Sequence, residues 1–256
     1  MITSVANPRI KDALRLRKGR ERRRAGLFIA EGSREVERAI AAGLAVREIF
    51  LAPELLPGWA DRIATEVPTA ARTRVEEVSA RVLAKLSYRA EPEGVIAVVE
   101  IPHRELPADS TLLLVAVGIE KPGNLGAMAR SADAAGADAL LIADANTDPW
   151  NPNAIRASTG AVFTLPIVEA RRDEIANLRH RKVAAVLGAT RRHTDEDYTH
   201  PTAFIIGPED EGLSDPWRAE ADTEVAIAMR GTTADSLNAS AAAAVLLFEA
   251  VRQRTS

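Results

Sequence analysis

The chain has 256 residues, 46% of them hydrophobic, and a formal net charge of −3. This length can form one large domain or two ordinary ones, and the longest apolar stretch, within residues 239–248, is far shorter than the roughly 20 residues of a membrane helix. The first residues lack the charged and apolar pattern of a signal segment, and the absence of cysteine excludes disulfides, thiolate nucleophiles and cysteine zinc sites. We therefore expect a soluble, cytoplasmic globular protein that does not associate with membranes.

Positive charge is concentrated at the start of the chain. Residues 1–26 carry nine lysines or arginines and two acidic residues, a net charge of +7 that leaves −10 for the remaining chain. Such a segment is typical of proteins that contact phosphates, although a basic run is also common on a solvated surface. The charge pattern alone supports the two interpretations equally.

The first hundred residues predict a compact α/β domain. Short β-rich runs at 27–31, 46–52 and 94–100 alternate with helical patterns, one of which begins at residue 33 and stops at Gly43. Residues 101–110 contain two prolines and little periodicity, which is typical of a linker. We therefore predict a domain at 1–100, a linker at 101–110 and a second domain at 111–256.

The second domain contains a series of apolar segments with helices between several of them. The segments are nearly continuous in apolar residues, as expected for parallel strands that are covered on both faces. They lie at 112–119, 138–144, 162–168, 182–190, 202–207 and 224–229. Because ligands bind outside the carboxyl ends of such strands, we expect a site at the loops that follow them, 118–126, 188–193, 207–213 and 230–238.

Simple phosphate-binding motifs are excluded. Gly118 and Gly123 have the spacing of a Walker A motif, but Asn124 and Leu125 follow where lysine and serine or threonine are required, and no G-x-G-x-x-G sequence occurs. Asn124 is instead predicted as the N-cap of a helix that ends at Gly136. The acidic loop after residue 207 suggests by itself either a cation site or a solvated turn, of which we favour the turn. The histidines and carboxylates of residues 193–200 match no metal-ligand spacing, so we predict no metal site.

Three motifs in order carry a resemblance to a known family. They are Asn124, Gly126, Ala127 and Arg130 in the first, "GPEDEGLS" at 207–214 in the second, and "SLNAS" at 236–240 in the third. Together they resemble the motifs of the SpoU-type, or TrmH-type, RNA ribose 2′-O-methyltransferases. The segments "FIAEGSREVERAIAAGLAVREIFLA" and "SYRAEPEGVIAVV" are similar to the substrate-binding domain that precedes the catalytic domain in many members.

The resemblance implies an architecture that periodicity alone does not predict. Six parallel strands with helices indicate a Rossmann-like fold, and true knots are rare. Members of this family are an exception, since their SPOUT catalytic domain is Rossmann-like with a C-terminal trefoil knot. The resemblance thus implies an α/β protein with this knotted domain, a smaller N-terminal α/β RNA-binding domain similar to a ribosomal-protein fold, and a homodimer.

The resemblance also implies the reaction and its cofactor. It predicts methyl transfer from S-adenosylmethionine (AdoMet) to a ribose 2′-hydroxyl, with ribosomal RNA as the favoured substrate, as in the antibiotic-resistance enzymes of this layout, and transfer RNA as the alternative. The residues predicted to line the AdoMet site are Leu187, Gly188, Ile206, Gly207, Pro208, Ile227, Met229, Ser236 and Leu237. The residues predicted to contact RNA are Arg9, Arg17, Arg20, Arg22, Arg23 and Arg24.

The resemblance assigns catalytic roles to Asn124, Arg130, Glu209, Ser236 and Asn238. Because an arginine ordinarily stays protonated, two roles are open for Arg130: a perturbed general base, or a cation that holds a phosphate and stabilises the developing alkoxide, which we favour. Ser236 or Asn238 is expected to orient the ribose hydroxyl, and Glu209 to fix Asn124 or Arg130.

Some positions depart from the usual motifs. Ala228 stands where proline is usual, Ala239 where valine is usual, one additional residue precedes Ser236, and Lys121 and Pro122 stand where acidic or other polar residues are frequent. Two competing hypotheses are a non-catalytic RNA-binding protein that keeps the fold, and an unrelated nucleotide-binding α/β enzyme. Complete catalytic motifs disfavour the first, and the missing phosphate fingerprints disfavour the second.

Overall fold

The computed structural model describes residues 1–59, 73–233 and 235–255. Its first helices and strands are α1 (Pro8–Arg15), α2 (Gly19–Ala25), β1 (Leu27–Glu31), α3 (Ser33–Ala41), β2 (Val46–Leu51), β3 (Arg74–Glu77), α4 (Ala80–Leu86) and β4 (Val95–Glu100). The chain continues with β5 (Leu112–Val117), α5 (Pro122–Ala134), β6 (Ala139–Ala143), α6 (Pro152–Ser158), β7 (Ile167–Glu169), α7 (Arg172–Ala176), β8 (Arg181–Ala185), β9 (Thr202–Ile206), α8 (Asp215–Arg218), β10 (Thr223–Val225) and α9 (Ala239–Arg254).

The chain forms two compact units. The first unit comprises Met1–His103 and Trp150–Phe163, and the second comprises Arg104–Pro149 and Thr164–Ser256. The division after His103 falls within the segment 101–110, which contains neither helix nor strand.

The first unit is built on a four-stranded sheet in the order β1-β4-β2-β3. Strand β4 is antiparallel to both β1 and β2, and β3 is parallel to β2. Buried side chains of α1 and α4, among them Ile10, Val82 and Leu86, form a core with Phe50 and Ile96 of the sheet. The three strands predicted here are confirmed to within a residue. Strand β3 was not predicted, because its sequence "RVEE" lacks an apolar run.

The segment Trp150–Phe163 departs from the predicted domain boundaries, which assigned it to the second domain. The ring of Trp150 lies 4.9 Å from that of Phe28 on β1, and the ring of Phe163 lies 5.7 Å from it. These contacts bury aromatic side chains at both ends of the segment, while α6 between them packs against β1. An apolar pattern predicts that such a segment is buried, but not which sheet it covers.

The second unit contains a six-stranded, entirely parallel sheet in the order β10-β8-β9-β5-β6-β7. Strands β5, β6 and β9 are completely buried. The chain proceeds outward from β5 to β7 and then crosses to β8 on the other side, so that the direction of winding changes between β5 and β9. The loops after these two strands therefore border a crevice, where open parallel sheets bind ligands.

Five of the six predicted strands of the second unit are confirmed, although several are shorter than their apolar segments. The prediction for 162–168 was wrong at its start, because Ala161–Phe163 forms a 3₁₀ turn and β7 spans Ile167–Glu169. The trefoil knot stays a prediction.

Helix α9 packs on α5 and β9, and hydrogen bonds to main-chain groups hold its C-terminal end in place. The Arg254 guanidinium donates to the carbonyl oxygens of Tyr198 at 2.8 Å, His200 at 2.8 Å and Thr111 at 3.0 Å. These bonds connect the last turn of the helix to the chain before β9 and to the start of β5. Within the described ranges, no helix is long and apolar enough to cross a membrane.

Candidate active site

A cavity of about 290 Å³ lies at the carboxyl ends of β8, β9 and β10. Its lining is rich in apolar side chains and main-chain groups, and we call it the apolar cavity. Eight of the nine residues predicted for the AdoMet site line it: Leu187, Ile206, Gly207, Pro208, Ile227, Met229, Ser236 and Leu237. The ninth, Gly188, directly follows Leu187 in a left-handed conformation with a φ of 75° but does not line the cavity.

A second cavity, of about 240 Å³, lies beside the first at the ends of β5, β6 and β9. We call it the acidic cavity, because it is lined by the carboxylates of Glu120, Asp144, Glu209, Asp210 and Glu211. The two cavities share a wall formed by residues 208–212 and Ala239. A ligand in one cavity therefore lies next to a ligand in the other.

The shared wall requires glycine at position 207. A Cβ atom on Gly207 would lie 2.7 Å from the carbonyl carbon of Gly212 and 2.8 Å from the nitrogen of Leu213. Main-chain atoms cannot yield as a flexible side chain can, so any larger residue would force the loop apart. Gly207 thus allows the chain to fold back on itself and to place Glu209 between the two cavities.

Glu209 connects all three motifs of the sequence. Its Oε1 atom accepts hydrogen bonds from Asn124 Nδ2 at 2.6 Å, from Asn238 Nδ2, and from the main-chain nitrogen of Ala239 at 3.3 Å. Its Oε2 atom accepts from Lys121 Nζ at 2.8 Å. Asn238 Nδ2 also donates to Asn124 Oδ1 at 3.1 Å, which closes the network.

The charge of Glu209 is stabilised by these donors. The hydrogen bond from Lys121 holds the pKa of the carboxyl below its ordinary value, with smaller contributions from the Ala239 amide and Asn124. The same contact raises the pKa of the Lys121 ammonium. The pair is therefore ionised at neutral pH, and Glu209 acts as an acceptor that orients both asparagines.

The structure corrects the predicted N-cap of α5. The helix begins at Pro122 rather than after Asn124, because proline is well suited to the first helical position, and Lys121 occupies the capping position. The side chain of Asn124 is thus free to bond Glu209 from within the first turn. The predicted end is confirmed, since Gly136 follows the helix with a φ of 69°.

Asn238 caps α9. Its Oδ1 atom accepts from the main-chain nitrogen of Ser240 at 2.9 Å, while its Nδ2 atom faces Glu209. The single side chain therefore fixes the start of the helix and contributes to the network. Ser236, two residues earlier, lines the apolar cavity.

Arg130 is not brought to either cavity. It lies six residues after Asn124 on α5, which places it about 240° around the helix, and its side chain is exposed. It makes no hydrogen bond or ion pair with another described residue. The structure therefore unites Asn124, Glu209 and Asn238 in one place but leaves Arg130 on a different face.

The six arginines predicted to contact RNA fall into distinct groups. Arg20 and Arg23 are exposed, Arg17 lies 4.7 Å over the ring of Tyr88, and Arg24 pairs with Glu21 at 2.6 Å. Arg9 joins the first helix to the sheet through ion pairs with glutamates of β2 and β3, Glu48 and Glu76, the latter at 2.6 Å.

The prediction for Arg22 was wrong. Its side chain is 2% exposed, and its Nη1 atom donates to the carbonyl oxygens of Leu16 at 2.7 Å and Arg17 at 3.1 Å. This arginine satisfies main-chain groups at the end of α1 and is inaccessible to a ligand. The sequence pattern could not distinguish it from its neighbours, because the segment is uniformly basic.

Two further residues of the acidic cavity were not assigned from sequence. Lys121, noted only as a departure from the family pattern, contacts Glu209. The carboxylate of Asp144, directly after β6, accepts a hydrogen bond from Trp217 Nε1 at 2.6 Å. Over the described ranges, no group of three histidine, aspartate or glutamate side chains is arranged to hold a metal ion.

Two parts of the chain match known protein families. Residues 111–248 match the SpoU rRNA methylase family, and residues 7–97 match the MRM3-like substrate binding domain. A 23S rRNA (uridine(2479)-2′-O)-methyltransferase of Streptomyces viridochromogenes is 37% identical over 252 residues, which cover 92% of this chain and 86% of the relative.

Solved structures give the same result. A crystal structure described as an RNA 2′-O ribose methyltransferase is 42% identical, with a TM-score of 0.84, and the match covers 100% of this chain and 99% of that one. The SpoU methyltransferase AviRb from Streptomyces viridochromogenes, solved in complex with AdoMet, is 32% identical with a TM-score of 0.87, covering 98% and 99%. The chain belongs to the SpoU rRNA methylase family.

Proposed function

We propose that this protein transfers a methyl group from AdoMet to a ribose 2′-hydroxyl of ribosomal RNA. The observation that carries the proposal is the Glu209 network on the wall between the two cavities. The apolar cavity suits a nucleoside cofactor that is recognised by main-chain groups, and the acidic cavity beside it leaves room for the substrate ribose. Relatives named as 23S rRNA 2′-O-methyltransferases support ribosomal RNA as the substrate, which is also the basis for a cytoplasmic location.

The chain fits AdoMet in the apolar cavity. Ile206, Leu213 and Ile227 provide apolar surface there, and the glycine at 207 lets its loop fold closely on itself beside the cavity. When bound, AdoMet supplies a methyl group already activated by the sulfonium for transfer to an oxygen nucleophile. The protein itself must then orient the ribose hydroxyl and stabilise the charge that develops on its oxygen.

Different polar residues orient the ribose hydroxyl and stabilise the developing charge. Glu209 positions Asn124 in the lining of the acidic cavity, where the amide keeps one N–H group and one acceptor position to orient a ribose hydroxyl. The amide of Asn238 is used fully by Glu209, Asn124 and Ser240, so Asn238 acts by holding Asn124 and Glu209 in place. Ser236 is placed on the cofactor side to assist Asn124. A guanidinium remains protonated in proteins, so Arg130 acts as a cation that binds an adjacent phosphate and stabilises the developing alkoxide.

This role for Arg130 requires a second subunit. Helix α9 presents an outward stripe of apolar residues at helical spacing, Ala241, Ala244, Val245 and Phe248, and Phe248 is 48% exposed. A homodimer would cover this stripe. Since Arg130 lies outside both cavities of its own chain, we propose that it completes the site of the partner subunit.

Mixing two inactive variants tests that arrangement. Arg130→Ala and Asn124→Ala should each lower the methyl-transfer rate about 100-fold. If Arg130 acts across the dimer, subunits that are unfolded and refolded together in equal amounts form mixed dimers with one intact site, so about a quarter of wild-type activity returns. Either variant refolded alone provides the control. A mixture as inactive as its components would show that Arg130 acts within its own chain.

The proposed reaction is tested with radiolabelled AdoMet and unmodified 23S ribosomal RNA transcribed in vitro. We expect AdoMet binding by calorimetry, methyl transfer to this RNA, and recovery of the label as a 2′-O-methylnucleoside after digestion. Label in a methylated base would contradict the proposal. RNA binding without AdoMet binding would identify a non-catalytic RNA-binding protein instead, and transfer to transfer RNA alone would change the substrate.

We further propose that exposed arginines of the first unit bind RNA phosphates. Replacing Arg20 and Arg23 with glutamine should weaken RNA binding and make the slope of log affinity against log salt shallower by about 0.7 to 0.9 for each phosphate that is no longer bound. AdoMet affinity and the melting temperature should not change. An unchanged salt slope would mean that these arginines are only solvated.

The buried Arg22 provides the contrast. Arg22→Gln should lower the free energy of unfolding by about 2 kcal/mol, because main-chain carbonyl oxygens lose their donor inside the first unit. Thermal denaturation of Arg22→Gln beside the Arg20→Gln/Arg23→Gln variant separates the two kinds of arginine. Equal stability of both proteins would contradict the structural role.

A further inference from the structure

Lys121 differs in charge from the other ionisable residues that line the acidic cavity. Among the described residues that line this cavity, five carry carboxylates and Lys121 alone carries a positive charge. An RNA strand brings one negative charge per nucleotide, so most of this surface repels it. A phosphate group can approach favourably only where Lys121 offsets the acidic residues.

The ammonium group of Lys121 is available to a ligand. Its contact with Glu209 Oε2, at 2.8 Å, uses one of three N–H donors. The lysine side chain is 67% exposed, whereas that of Glu209 is 18% exposed, so the ion pair leaves the ammonium on the open side. The remaining donors therefore face the cavity and the solvent.

The location of Lys121 connects this charge to the reacting groups. Lys121 occupies the capping position of α5, and Asn124 lies in the first turn of the same helix. Both side chains bind the same carboxylate, one at each oxygen. An anion at Lys121 would also lie near the positive end of the dipole of a helix of 13 residues, which adds to the attraction.

We propose that Lys121 binds a phosphate of the RNA next to the ribose that is methylated. The inference rests on the proposed function, since it names a substrate contact of the same site. Lys121 does not line the apolar cavity, so the anion it meets belongs to the substrate and not to the cofactor. Lys121 can pair with Glu209 and hold a phosphate at the same time, because the two anions accept hydrogen bonds from different N–H groups of its ammonium.

Lys121→Met tests the proposal, because it keeps an unbranched side chain of similar length without charge. Binding to 23S ribosomal RNA transcribed in vitro should weaken about tenfold, the effect of removing one charge-assisted hydrogen bond. The slope of log affinity against log salt should become shallower by about 0.7 to 0.9. Lys121→Arg should restore the slope, and AdoMet affinity should be unchanged in both variants.

Lys182→Met is the matched control. Lys182 lies near the start of β8, at the end of the parallel strands opposite to the loops that line the cavities, and its ammonium pairs with Asp222 at 3.3 Å. Lys182→Met removes one positive charge from the second unit, as Lys121→Met does, but at a distance from the acidic cavity. It should therefore leave RNA affinity and the salt slope at wild-type values. Melting temperatures of all variants establish that they are folded.

Three results separate failure of this inference from failure of the proposed function. An unchanged salt slope in Lys121→Met with a lower single-turnover rate would mean that Lys121 acts only by holding Glu209, and would overturn the proposal. Weaker AdoMet binding in Lys121→Met would reassign Lys121 to the cofactor and overturn it as well. Absence of AdoMet binding and methyl transfer in the wild-type protein would instead contradict the proposed function.

Discussion

The site depends on one ionised carboxylate held between two cavities. Glu209 accepts hydrogen bonds from each of the other two motifs, through Asn124 and Asn238. The Oε1 atom of this carboxylate fixes the amide orientation of both asparagines, because each directs its NH₂ group at it, while Oε2 accepts from Lys121. Asn124 then keeps one N–H group and one acceptor position with defined directions for a ligand, while the amide of Asn238 is used fully by Glu209, Asn124 and Ser240.

The parallel sheet and a single glycine place that carboxylate. The loops after β5 and β9 meet where the winding direction changes, and the near contact of Gly207 with Gly212 folds the second loop tightly enough to reach the first. The third motif joins through Asn238, whose cap fixes the start of α9. Residues separated by more than a hundred positions thus converge because main-chain geometry, and not local sequence, brings them together.

Much of this arrangement could be predicted from the sequence. Continuous apolar segments predicted the strands of the parallel sheet, and three ordered motifs indicated the family and eight of the residues that line the apolar cavity. These features are encoded in contiguous stretches of the sequence. The capping function of Asn238 was also predictable, since a polar residue directly precedes an apolar helix.

Other features depend on contacts that a linear pattern does not contain. Arg22 and Arg23 are adjacent and chemically identical, yet one is buried against main-chain carbonyl oxygens and the other is exposed. Segment 150–163 joins the first unit because its aromatic residues pack on Phe28. The partner of Lys121 could not be predicted either, because it lies 88 positions away across the crevice.

The role of Glu209 is tested most directly by the rate of methyl transfer in Glu209→Gln, measured in a single turnover with saturating RNA and AdoMet. The variant keeps the size of the side chain but loses the charge that holds Lys121 and both asparagines, so we expect a rate about 100-fold lower with little change in AdoMet affinity. Asp222→Asn removes a carboxylate of the same unit that lines neither cavity and should retain the wild-type rate. A wild-type rate in Glu209→Gln would contradict the central role of this carboxylate.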